Sequence, residues 1–127
     1  MLALRILGGL LDLSLFTDLH RLPELICGFG RQLGKAPTLY PVACAPQAWA
    51  AGAVFMALQS CLGLSIDATN SEIRLHHMML PEFLKRVEVR NLKVGNGEVD
   101  LAFERYSDSV GVNILRRKGN VTIVSIN

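Results

Sequence analysis

The sequence has little net charge and few cysteines. Thirteen Lys and Arg residues stand against eleven Asp and Glu residues, giving a formal net charge of +2. This excess is too small to indicate a nucleic-acid or membrane partner. The three cysteines, an odd number in apolar surroundings, argue against a disulfide framework and favour a reducing cytoplasm. No CxxC or HxxxH spacing occurs, so we expect no metal and no cofactor.

Signals for export and for membrane insertion are also lacking. The apolar N-terminus contains Asp12 and has no clear small-x-small cleavage site, which argues against a signal peptide. Residues 45–64 are long enough to span a membrane, but they contain Gln47, Gln59 and Ser60 and lack a basic flank. They therefore favour a buried helix of a soluble, cytoplasmic protein.

The pattern is helical before residue 65 and β-like after it, which predicts an α+β chain with segments 1–65 and 66–127. Leucines three and four residues apart predict a helix over residues 2–19. A second helix is predicted from Pro46, a favoured first helical residue, to Leu62, with Gly63 as its stop. Because this helix is apolar nearly all round, it is expected to need more neighbours than two helices supply.

The second half predicts an antiparallel, meander-like sheet of about five strands. Val99, Leu101 and Phe103 alternate with polar residues, as in a strand with one buried face. The run 95–97, Gly-Asn-Gly, predicts a hairpin with a type I′ turn. Residues 107–109 and 118–120 predict further turns, and the basic run 116–118 is expected in a solvated turn. The alternation of apolar and polar residues shifts by one position at Asn91, which predicts a bulge.

A loop of about twenty residues, from Arg21 to Cys44, separates the helices and is rich in proline and glycine. Long loops inside small domains are uncommon and usually functional. Within it, Glu24 stands in the apolar run RLPELICGFG, where an unpaired buried charge would be costly. With Tyr40 and Trp49 nearby, the carboxylate suits a sugar site. A structural role remains open: Glu24 held by Arg21 or by backbone N–H groups, and Trp49 in the core.

The runs RLPELICGF (21–29) and PTLYPVACAPQAWAAGAVFMALQSCLGLSID (37–67) resemble the C-terminal end of bacterial glycogen-debranching-like glycosidases of the amylo-α-1,6-glucosidase type. These enzymes belong to the six-hairpin (α/α) toroid glycosidases, and the resemblance covers roughly residues 4–126. It implies that the two helices end such a toroid. It also implies that Glu24 is the general base of an inverting hydrolysis of α-glucosidic bonds, with substrate-binding roles for Arg21, Tyr40, Gln47 and Trp49.

The resemblance further implies an oligosaccharide or α-glucan substrate. A toroid has about a dozen helices and this chain has two, so the segment that would hold the general acid is missing. Since the first helix also has no N-terminal cap, the chain is expected to be a fragment, a split subunit or the product of a mis-called start. It is expected to be inactive alone and to associate with the rest of the toroid or with itself. The alternative is a non-catalytic helix-plus-sheet interaction module.

Overall fold

The computed structural model describes residues 2–32 and 34–126 and shows an α+β chain of two compact units, Met1–Leu58 and Gln59–Asn127. Unit 1 holds helix α1 and most of helix α2, and unit 2 holds six strands. The boundary between the units lies inside the second helix. The helices and strands are α1 Leu2–Ser14, α2 Ala48–Cys61, β1 Leu64–Asp67, β2 Glu72–His76, β3 Arg86–Val94, β4 Gly97–Arg105, β5 Val110–Lys118 and β6 Thr122–Ile126.

Helix α1 ends five residues earlier than the leucine pattern predicts. The Ser14 hydroxyl donates to the Leu11 carbonyl oxygen at 2.6 Å, and the Thr17 hydroxyl donates to the Ser14 carbonyl oxygen at 3.0 Å. Hydroxyl groups that bond to nearby carbonyl oxygens compete with the helical pattern. A 3₁₀ turn, Asp18–His20, follows, with φ of 53° at Leu19 and 58° at His20.

Helix α2 begins two residues after its predicted start at Pro46. Gln47 is the N-cap, because its carbonyl oxygen accepts the Ala51 N–H at 3.1 Å and its side-chain Oε1 accepts the Ala48 N–H at 2.9 Å. The predicted stop is confirmed: the helix ends at Cys61, and Gly63 has a φ of 57°. Trp49 and Phe55 are 63% and 74% exposed, so this chain does not bury the helix all round, in agreement with the expectation that the helix needs more neighbours than two helices supply.

The exposure of α2 follows from how little of unit 1 packs on it. A small cluster joins the buried side chains of Leu13, Leu22 and Ala50 to the partly buried Leu10 and Val54. The 21–47 segment, which could have covered the helix, contains no regular element among its described residues and only one isolated bridge, Ile26 to Leu39. The apolar surface of α2 therefore stays in contact with solvent.

The single sheet of about five strands is wrong. Unit 2 contains two three-stranded sheets, in the orders β1-β2-β6 and β3-β4-β5. The pairing of β2 with β6 is parallel and joins segments nearly fifty residues apart, with Glu72 opposite Thr122 and His76 opposite Ile126. An alternating pattern shows which face of a strand is buried but not which strand lies beside it. The pattern is therefore the same for a meander and for this arrangement.

The predicted hairpin and bulge are both confirmed within the β3-β4-β5 sheet. Val94 pairs with Gly97, so the loop consists of Gly95 and Asn96. Gly95 takes the positive φ, 57°, which is the geometry of a type II′ turn rather than the predicted type I′. The register between β3 and β4 shifts between Val89 and Leu92, and Asn91 in that gap has a φ of 55°.

The core of unit 2 is built mainly on β4. Val99, Leu101 and Phe103 are fully buried, as their alternation predicts. The basic run is not a turn: residues 116–118 end strand β5, and Arg116 lies opposite Asp100 of β4. Turns do follow β4 and β5 at the predicted places. None of the helices in the described part of the chain is long and apolar enough to cross a membrane.

Candidate functional site

Two adjoining clefts lie in unit 1, both formed by the segment between the helices. The first, here called the glutamate cleft, has a volume of about 280 Å³ and is lined by Glu24, Trp49 and apolar side chains that include Leu10 and Leu22. The second, here called the arginine cleft, has a volume of about 560 Å³ and is lined by Asp18, Arg21, Tyr40 and a largely apolar wall. Pro23 and Leu25 line both clefts and form the ridge that separates them.

Glu24 is held in place by a reciprocal pair of hydrogen bonds with Cys44. The Glu24 backbone N–H donates to the Cys44 carbonyl oxygen at 2.7 Å, and the Cys44 N–H donates to Glu24 Oε2 at 3.2 Å. Glu24 as a residue is half-buried, and its carboxylate accepts one backbone hydrogen bond. No other described residue bonds to its second oxygen, Oε1. This arrangement can hold the loop in place at Glu24, and it can also orient Oε1 towards a bound water.

Trp49 and Gln47 have different environments. Trp49, in the first turn of α2, presents an exposed indole to the glutamate cleft and is not a core residue. An exposed aromatic ring beside a carboxylate can stack on an apolar ligand face. Gln47 is engaged in the helix cap through Oε1, and its N–H donates to the Leu22 carbonyl oxygen at 3.2 Å. Its visible role is to attach the start of α2 to the loop that carries Glu24.

The arginine cleft begins at the 3₁₀ turn. The His20 N–H donates to the Thr17 carbonyl oxygen and the Arg21 N–H to the Asp18 carbonyl oxygen, both at 3.1 Å. Leu19 and His20 lie in the left-handed region, which costs a non-glycine residue roughly 1–2 kcal/mol. This strained turn places Asp18 and Arg21 at the same cleft. Strained backbone of this kind is concentrated at ligand sites.

Four of the five residues predicted for the site divide between the two clefts, and the fifth lies outside both. Glu24 and Trp49 share the glutamate cleft, whereas Arg21 and Tyr40 share the arginine cleft. Gln47 lines neither cleft. Sequence reasoning gave no role to Asp18, although it stands three residues before Arg21. The two residues between them, Leu19 and His20, have positive φ values, and the types of these residues give no signal of that conformation.

Other groups that carry chemistry do not form a second centre within the described residues. No group of three or more His, Cys, Asp or Glu residues there is arranged to hold a metal ion. Cys61 is buried, and burial raises the pKa of its thiol, so it is a poor nucleophile. On the β3-β4-β5 sheet, Arg116 donates to Asp100 at 2.8 Å and lowers the pKa of that carboxyl.

The other carboxylates of this sheet face are also paired. Glu88 accepts hydrogen bonds from Arg90 Nε at 2.8 Å and from Arg86 Nη2 at 2.7 Å, and both lower the pKa of its carboxyl. Arg86 also pairs with Glu104, and Arg116 with Glu98. Exposed pairs of this type contribute little stability each, but a network neutralises the face. The charged face of the sheet therefore has the character of a solvated surface rather than of a reactive site.

Comparison with models of protein families gave no match, and neither did comparisons with curated proteins and with solved structures.

Proposed function

We propose that the chain is the C-terminal segment of a glycoside hydrolase of the amylo-α-1,6-glucosidase type, with Glu24 as the general base of an inverting hydrolysis of α-glucosidic bonds. The observation that carries the proposal is the glutamate cleft itself. There one carboxylate, oriented by the Cys44 N–H, lies with an exposed indole ring and apolar walls. The resemblance of RLPELICGF and the APQAW run to this family supports the same assignment. The toroid to which α1 and α2 would belong is part of the proposal.

The roles of the residues follow from their chemistry. Glu24 Oε2 is held by the backbone, so Oε1 is the oxygen that would accept a proton from a water attacking the anomeric carbon. Trp49 would stack on the apolar face of the glucose ring. Gln47 acts by fixing the start of α2, which carries the indole. Tyr40 and Arg21 line the arginine cleft and not the glutamate cleft, so the proposal gives them no contact with the glucose unit beside Glu24.

An inverting glycosidase needs a second carboxyl group roughly 6.5–9.5 Å from the base to protonate the leaving oxygen. Glu24 is the one carboxylate among the described residues that line the glutamate cleft. Each member of an acid/base pair contributes about 10²–10⁴-fold to the rate. The chain by itself is therefore expected to bind α-glucans without hydrolysing them at a measurable rate, and the general acid would come from the segment of the toroid that this chain lacks.

The experiment combines calorimetric binding with a glucose-release assay. Maltotriose, panose and glycogen are titrated into the purified chain and into Glu24→Gln, with Glu82→Gln as the matched control because Glu82 is exposed and lies in unit 2. The wild type and Glu82→Gln are expected to bind with a Kd of about 1 mM, and Glu24→Gln several-fold more weakly. Binding that is unaffected by Glu24→Gln would contradict the proposal. Glucose release by the chain alone would show that the acid is already present.

A second candidate is a non-catalytic helix-plus-sheet interaction module. It is favoured by the apolar side chains that α2 exposes, Trp49 and Phe55, and by the reciprocal Glu24–Cys44 bonds, which also suit a purely structural corner. Self-association would bury these side chains. Concentration-dependent association in light scattering, together with no binding of any α-glucan, would assign this function instead.

A further inference from the structure

The arginine cleft carries two opposite charges that do not neutralise each other. Asp18 and Arg21, both exposed, line the same 560 Å³ cleft, yet no ion pair joins them. Within residues 2–32 and 34–126, no other side chain forms an ion pair with either of them. Nearby Arg31, by contrast, is paired with Asp12 at 2.5 Å. Because the left-handed residues between Asp18 and Arg21 interrupt the helical spacing that favours such a pair, both side chains remain available to a ligand at this cleft.

The turn that separates the charges is fixed by its backbone. Leu19 and His20 have φ values of 53° and 58°, and two backbone hydrogen bonds close the turn around them. The His20 ring lies within hydrogen-bonding distance of the Ser14 carbonyl oxygen, 3.0 Å from its Nδ1, which attaches the turn to the end of α1. The two charged side chains are therefore presented from a preorganised turn, which reduces the entropy lost on binding.

The remaining wall of the cleft is apolar. It is formed mainly by Leu25, Leu39, Pro41 and Pro46, with the Tyr40 ring at one side. The volume is in the range of small-molecule sites, which combine an apolar lining with a few convergent polar groups. A ligand complementary to this cleft has a positive group for Asp18, a negative group for Arg21 and an apolar part for the wall.

We infer that the arginine cleft is a binding site for a small zwitterion that carries an ammonium group, a carboxylate and an apolar side chain, the chemistry of an apolar α-amino acid or dipeptide. The ammonium binds the Asp18 carboxylate, and the ligand carboxylate binds the planar guanidinium of Arg21. A neutral sugar would leave both charges of the cleft without a partner, and a simple anion would be repelled by Asp18. This site is separate from the glutamate cleft and does not depend on the proposed glycosidase function.

The test measures binding by NMR on the ¹⁵N-labelled chain, with five probes: L-leucine, L-leucyl-L-leucine, N-acetyl-L-leucine, L-leucinamide and maltose. Acetylation removes the ammonium and amidation removes the carboxylate, so each contact is probed separately. The variants are Asp18→Asn and Arg21→Gln. Glu82→Gln and Arg117→Gln are the matched controls, because both residues are exposed and lie in unit 2. The dispersion of the amide spectrum shows that each variant is folded.

Leucine or leucyl-leucine is expected to bind and to shift the amides of residues 17–21 and 39–41. The tighter of the two identifies the size of the natural ligand. N-acetyl-leucine and leucinamide are each expected to bind about 10- to 100-fold more weakly. Asp18→Asn should abolish the preference for leucine over N-acetyl-leucine, and Arg21→Gln should abolish the preference for leucine over leucinamide. Both preferences should be unchanged in the two control variants.

Three results would overturn the inference. The first is equal binding of the zwitterions and their blocked forms. The second is binding that neither Asp18→Asn nor Arg21→Gln changes. The third is binding of maltose in this cleft without binding of any zwitterion, which would make it part of a sugar site. Maltose binding that instead shifts the amide signals of Trp49 and Glu24 supports the glycosidase proposal and does not contradict the zwitterion site.

Discussion

Replacing Gly63 with alanine is expected to destabilise unit 2 strongly. Gly63 follows the end of α2 with a φ of 57°, and its carbonyl oxygen accepts the His76 N–H at 3.0 Å. A Cβ added there would lie 1.7 Å from the His76 carbonyl oxygen and 2.6 Å from its carbonyl carbon. Both obstacles are backbone atoms at the end of β2, so no side-chain rotation can relieve the contact.

The magnitude follows from two terms. The left-handed conformation costs alanine about 1–2 kcal/mol, and displacing β2 loses a backbone hydrogen bond of about 1 kcal/mol. The sum is about 2–3 kcal/mol before any further repacking, which lowers the melting temperature of a domain of this size by roughly 8–24 °C. Gly63→Asn should be less damaging than Gly63→Ala by up to about 1–2 kcal/mol, because asparagine tolerates positive φ, but it should still lose the hydrogen bond through the clash of its Cβ with His76.

Urea and thermal unfolding followed by circular dichroism measure the effect. Gly52→Ala is the control, because Gly52 lies inside α2 and an added Cβ there meets no atom within 4 Å. That change should stabilise the helix by about 0.5–1 kcal/mol. A Gly63→Ala variant within about 0.5 kcal/mol of the wild type would refute the geometry described for this corner, since surface changes usually have effects of that size.

Two further predictions concern the β3-β4-β5 sheet. Arg116 lowers the pKa of Asp100, so this pair stabilises the folded state above the unfolded pKa of aspartate, about 3.9, and its contribution is lost as pH falls through the lower folded value. The urea midpoint of the wild type should therefore fall more steeply between about pH 5 and 2 than that of Asp100→Asn, and equal slopes would contradict the pairing. Asn91→Val should destabilise the sheet by about 1–2 kcal/mol more than Asn91→Gly, because valine must adopt a φ of 55°, and equal unfolding midpoints would count against the bulge.

Features set by neighbouring residues could be predicted from the sequence. The stop of α2 at Gly63, the hairpin after Val94 and the bulge at Asn91 each depend on the local tolerance of a few residues for positive φ. The burial of Val99, Leu101 and Phe103 follows from the period of two along a strand. These expectations concern single elements, and the structure agrees with them.

Features set by distant parts of the chain could not be predicted. The parallel pairing of β2 with β6 depends on which edges are free after folding, and no local pattern encodes it. The end of α1 was missed because hydroxyl-to-carbonyl bonds at Ser14 and Thr17 outweigh the leucine stripe. The division of the predicted site residues between two clefts depends in the same way on the path of residues 18–44. The left-handed residues in this segment, Leu19 and His20, are neither glycine nor proline, so the sequence gives no sign of their conformation.

The most direct test of the proposed function uses the fluorescence of Trp49, the one tryptophan of the chain, which lies in the glutamate cleft. Maltooligosaccharides are titrated into the wild type, Glu24→Gln and the control Glu82→Gln while the emission maximum is recorded. A saturable blue shift in the wild type and the control, weakened several-fold in Glu24→Gln, is the predicted result, since stacking of a sugar shields the indole from water. Emission that stays constant at every oligosaccharide concentration, or that changes identically in Glu24→Gln, would contradict the assignment of this cleft to an α-glucan.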